Sequence, residues 1–153
     1  MITMAINLHK VLAAGLLTAV LAGCGSSDTA SFMIDGKDTA LTLERIKDYA
    51  WSEGWELELI VRRYPDCQRR HNLKAASSDA PKVDIYTPEP YVFIIRQAKR
   101  WYVTDLKTCQ LQAFKEPPPL PGTLVGAFQE KDGVLKFVEN PQAKPAEATT
   151  PAS

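Results

Sequence analysis

Histidine is nearly absent. There are two in 153 residues, and only His71 lies beyond the first stretch of the chain. Serine- or cysteine-based nucleophilic catalysis needs a positioned base, and a zinc centre draws on histidine and thiolate, so both classes have almost nothing to build on. No Cys-x-x-Cys, Gly-x-Ser-x-Gly, His-Glu-x-x-His or phosphate-cradling glycine loop occurs. Net charge is also missing, with 18 Lys+Arg against 18 Asp+Glu. A dedicated nucleic-acid binder normally carries a positive excess to neutralise phosphates, so that class is disfavoured. Long apolar runs are lacking too. The run from Val11 to Gly23 falls short of the about 20 residues that cross a hydrocarbon core.

That short run has another use. Residues 1–23 have the three parts of an export signal: His9 and Lys10 as a weakly basic start, the apolar "VLAAGLLTAVLAG", and small residues before a cysteine. Leu21-Ala22-Gly23-Cys24 resembles the lipobox of bacterial lipoproteins at all four positions. The resemblance covers the first 24 residues only. It implies cleavage before Cys24, a diacylglyceryl group on the Cys24 sulfur, palmitate-type acylation of the new amino terminus, and stable anchoring by two or three chains. Gly25, where Asp would favour inner-membrane retention in enteric bacteria, implies the outer membrane with the domain facing the periplasm. Beyond the lipobox the chain resembles small envelope lipoproteins of Gram-negative bacteria in general, with no motif that selects one family.

Organisation after Cys24 is expected to be simple. Residues 24–31 read as a flexible tether, whose seven residues Gly25 to Ser31, mostly polar, reach about 25 Å at most. Residues 32–140 read as one β-rich domain. Residues 141–153, rich in Pro, Ala and Thr without a large apolar residue, read as a disordered tail. With Cys24 lipidated, Cys67 and Cys109 remain as a pair in an oxidising compartment, and a disulfide is expected between them.

Alternation dominates the domain. Asp35-Gly36 marks a turn. Tyr49 and Trp51, followed by Trp55, Leu57, Leu59 and Val61, alternate on either side of Ser52–Gly54 and predict a hairpin rather than a helix there. Pro65-Asp66 marks a turn, with Asp66 capping a short helical piece through Lys74. "KVDIY" reads as a strand stopped by "TPEP", and "YVFIIR" and "RWYVTDL" as a hairpin around Gln97-Ala98-Lys99. Cys109, Leu111 and Ala113 alternate in a following strand, and "KEPPPLPG" is a stiff crossing segment. Asp132-Gly133 between alternating runs predicts a two-residue hairpin that pairs Lys131 with Val134 and Phe128 with Phe137. About eight short, mainly antiparallel strands, with one short helix at most, predict an all-β sandwich or small barrel.

The feature above background is where the cations sit. Arg62, Arg63, Arg69, Arg70 and Lys74 surround one acid, Asp66, and Arg96, Lys99 and Arg100 adjoin Trp101 and Tyr102. A Cys67–Cys109 bond would bring the clusters toward one cationic, aromatic-bordered surface suited to phosphate or carboxylate groups. The competing reading is solvated turn charges paired with Asp66, Asp84 and Asp105. Trp51, Trp55 and Trp101 read as core or sheet-covering residues rather than a sugar platform. The expected function is therefore a membrane-anchored, non-enzymatic binding or adaptor module. Its partner is another envelope protein or a polyanionic envelope component, and neither cofactor nor metal is called for. An inhibitor of the lysozyme-inhibitor type and a hydrolase using Glu53, Glu56 and Glu58 are the alternatives.

Overall fold

The computed structural model describes residues 25–49, 51–77 and 80–143. The signal segment, Cys24 and the tail from 144 onward lie outside the described residues. The described chain is all-β: β1 (Ser26–Asp35), β2 (Thr39–Lys47), β3 (Glu56–Arg63), β4 (Cys67–Asn72), β5 (Val83–Glu89), β6 (Val92–Gln97), β7 (Arg100–Asp105), β8 (Gln110–Ala113), β9 (Thr123–Lys131) and β10 (Val134–Glu139). A four-stranded sheet, β1-β2-β3-β4, faces a six-stranded sheet, β10-β9-β5-β6-β7-β8, and every pairing is antiparallel. This is a sandwich rather than a closed barrel, since no ladder joins the two sheets.

Alternation explains the core. Leu41 and Leu43 of β2, Leu57, Leu59 and Val61 of β3, and Val83, Ile85, Ile95 and Phe128 opposite are all at most 1% exposed. Successive side chains on a strand point to opposite faces, so these sets fill the space between the sheets. The last hairpin has the expected register, Val134 with Lys131 and Phe137 with Phe128, and the two rings meet edge-on at 5.0 Å. Asp132 and Gly133 both have positive φ, 57° and 78°, as a turn matched to strand twist requires.

The expected all-β sandwich is what the structure has, with ten strands and no helix among the described residues. Three local expectations need correcting. The piece after Pro65-Asp66 is β4, an edge strand paired with β3 from Arg63↔Cys67 to Glu58↔Asn72. Its residues are exposed or half-buried throughout, so it lacks the apolar alternation that marks a strand in sequence. The tether is also shorter than expected. Pairing of β1 with β2 begins at Ser26↔Lys47, so the polar "SSDTAS" is strand, held by backbone bonds that composition does not reveal. Finally, "TPEP" does not stop β5, which runs on through a register shift to Glu89.

Cys67 and Cys109 are disulfide-bonded, with Cα atoms 6.0 Å apart. The bond fastens edge strand β4 to the turn between β7 and β8. Cys109 itself has φ 54° and closes that turn through its N–H to the Asp105 carbonyl, and β8 starts one residue later. Closing a loop of 42 residues is worth about 4 kcal/mol by chain-entropy arguments.

Candidate functional site

Antiparallel pairing sorts the turns into two ends. Ser26 pairs with Lys47, Ile46 with Glu56, and Trp55 bridges Ala76. The Gln97 side-chain amide then donates to the Lys74 carbonyl at 2.5 Å, and Gln97 pairs with Arg100. A chain of bonded neighbours therefore runs across one end of the sandwich. It leads from the residue after Cys24 to the β6–β7 turn.

At that end lies a shallow cleft of about 500 Å³. Lys74 from two residues beyond β4, Lys99 from the β6–β7 turn, Arg100 from the start of β7, and Lys115 from beyond β8 line it, with Trp101, Tyr102 and Phe114. All four cations are exposed, no acid lines the cleft, and none of the four forms an ion pair with a described residue. Trp101 is half-buried, with its ring 5.7 Å from Tyr86 on the outer face of the sheet. Phe114 is 36% exposed and its N–H donates to the Trp101 carbonyl, which fixes it at the rim. Cations without acid partners beside fixed rings can bind an oxyanion with little loss of side-chain order.

The other expected cations are divided among different surroundings. Arg70 is bound by Glu58 and by Glu44, the latter at 2.5 Å. Hydrogen bonding to Glu58 first and Glu44 second raises its pKa above the ordinary guanidinium value. Arg62 donates to the Lys37 carbonyl. Arg63 reaches Asp66 at 3.6 Å and lies 4.9 Å from the Tyr91 ring. Arg96 pairs with Asp84 at 3.2 Å and lies over Trp101 at 5.6 Å. Arg69 is exposed on β4 without an ion pair among the described residues. In this cleft the two sequence clusters therefore meet through Lys74, and Arg70 lines an adjoining groove with Tyr102. Asp105 pairs with none of these cations. It accepts the Lys107 N–H at 2.8 Å in its own turn.

Lys115 and Phe114 went unmarked in the sequence because Lys115 opens the segment read as a stiff crossing and Phe114 closes the strand before it. Their signal was an aromatic–cation dipeptide directly after a strand. His71 is taken up structurally, its Nε2–H donating to the Cys109 carbonyl at 2.7 Å. Of the three glutamates considered for hydrolysis, Glu58 is bound by Arg70, Glu56 is exposed at the start of β3, and Glu53 lies in the preceding loop. Trp51 does not cover a sheet; it is 70% exposed. Trp55 is half-buried beneath Arg45 and Lys47.

A second cleft, about 590 Å³, opens at the opposite end, lined by Phe32, Ile34, Tyr91, Phe93 and Val125 with Glu89 and Glu139. It is larger, but it gathers none of the expected residues. Among the described residues no three His, Cys, Asp or Glu side chains converge on a point that could hold a metal ion. No protein-family model, curated protein or solved structure matches this chain.

Proposed function

We propose that this chain is an envelope lipoprotein, anchored through Cys24 to the outer membrane and facing the periplasm. On this reading it binds a phosphate- or carboxylate-bearing polyanionic envelope component without transforming it. The observation that carries the reading is the cleft of Lys74, Lys99, Arg100 and Lys115 beside Trp101, with no acid in its lining. Its position supports the reading further, because it opens at the end of the sandwich where the chain leaves Cys24. Arg100 supplies a planar fork for bidentate contact, and the lysines supply mobile point charges.

Charge-assisted hydrogen bonds contribute about 1.5–3 kcal/mol each. Reversing Lys99 and Arg100 together should therefore weaken binding by more than about tenfold. Titration of the purified protein with inorganic polyphosphate, followed by Trp fluorescence or calorimetry, tests this. The double variant Lys99→Glu/Arg100→Glu should lose that affinity, whereas Arg70→Gln, outside the cleft and already acid-bound, should keep it. Added salt should weaken binding to the native protein. Equal affinity in native protein and double variant, or an equal loss in Arg70→Gln, would remove the cleft as the binding site.

A further inference from the structure

Tyr49 and Trp51 lie in the β2–β3 loop, 51% and 70% exposed, with rings stacked at 5.2 Å and 11° between planes. Two large rings stacked on each other and open to solvent leave an apolar face uncovered. The loop's position says what covers it. Gly25 is packed so tightly on the chain entering this loop that a Cβ on it would stand 2.4 Å from the Lys47 carbonyl oxygen and 2.7 Å from that of Asp48. Cys24 is the next residue toward the N-terminus, with its Cα about 3.8 Å from that of Gly25. Tyr49 directly follows Asp48. The ring pair thus follows directly on the backbone against which Gly25 packs, and Gly25 is the single residue between Cys24 and strand β1.

We infer that Tyr49 and Trp51 form a membrane-docking pair that enters the lipid headgroup layer beside the acylated Cys24 and fixes the orientation of the domain on the bilayer. The inference rests on the lipoprotein reading of Cys24. Tyr and Trp suit this depth because each has an apolar ring and a polar tip, and both concentrate at membrane–water interfaces. The loop's charges, Lys47 against Asp48 and Glu53, are mixed. The contact therefore depends on the rings and should persist on zwitterionic lipid. With Gly25 as the only spacer, the acylated protein has no slack to hold this loop away from the surface.

The test uses the protein extracted from its own envelope and reconstituted in phosphatidylcholine vesicles carrying a nitroxide near the headgroup. Subtracting the emission of Trp51→Phe from that of the native protein isolates Trp51 from Trp55 and Trp101. More than half of the Trp51 emission should be quenched, and a nitroxide deep in the acyl region should quench it less. At 70% exposure, replacing Trp51 leaves the core untouched. Intact mass of the same sample separates the two ideas. An acylated Cys24 with unquenched Trp51 overturns the docking alone. A Cys24 without acyl chains overturns the anchor and the docking with it.

Discussion

Arg45 holds its charge between the two sheets, 3% exposed. It donates to Asp28 at 3.0 Å, to Glu130 at 2.6 Å and to the Gly133 carbonyl at 3.1 Å, with the Trp55 ring 4.3 Å from its guanidinium carbon. Asp28 also accepts the Leu135 N–H at 2.7 Å, so two side chains tie β1 and β2 to the β9–β10 hairpin. A buried cation that loses a partner keeps its desolvation cost. Asp28→Ala should therefore lower unfolding stability by about 2–3 kcal/mol, read from urea unfolding. Neither residue stood out in the sequence. Arg45 continues the inward phase of Leu41 and Leu43, where a charge reads as the end of a strand. Asp28 sits in a polar stretch that reads as tether. What hid both was long-range partnership, which composition does not carry.

Turns were legible where a turn dipeptide sat between patterned runs, as at Asp35-Gly36, with an apolar run before it and alternation after it, and at Asp132-Gly133, between two alternating runs. The β6–β7 turn was legible too, although its chemistry is less favourable. Ala98 has φ 53°, a conformation in which its Cβ is crowded. Ala98→Gly should raise stability by up to about 1 kcal/mol, a gain of a few degrees in Tm, while leaving Lys99 and Arg100 in place. Unchanged or lower Tm would show that the turn carries no such strain. β4 was illegible for the opposite reason. Paired on one edge only, with no fully buried residue on either face, it carries charge for solubility rather than an apolar alternation. The same edge character placed Arg69 and Arg70 in a run that looked like a binding cluster. Pairing sends Arg70 across to Glu44 and Glu58 instead.

At the largest scale the described residues form two sheets whose edges are fastened at both sides. β1 runs beside β10 with Asp28 and Arg45 between them, and the disulfide, His71 and Gln97 join β4 and the segment directly after it to the larger sheet. Replacing Cys67 and Cys109 together by serine should cost about 4 kcal/mol and make the protein no longer sensitive to reductant in its unfolding. That pairing could be read from the sequence because setting Cys24 aside leaves two cysteines. The end-to-end polarity could not, because it depends on register across five strands, a bridge and a side-chain hydrogen bond. Register is what gathers the Gly25 end, the Tyr49–Trp51 loop and the Lys99–Arg100 turn on one side. The account depends on that side being the membrane side, and therefore on Cys24. Mass spectrometry of the amino terminus of protein extracted from its native envelope tests this directly. The predicted result is a chain beginning at Cys24 with a diacylglyceryl group on its sulfur. A chain carrying Cys24 as an unmodified thiol would contradict it.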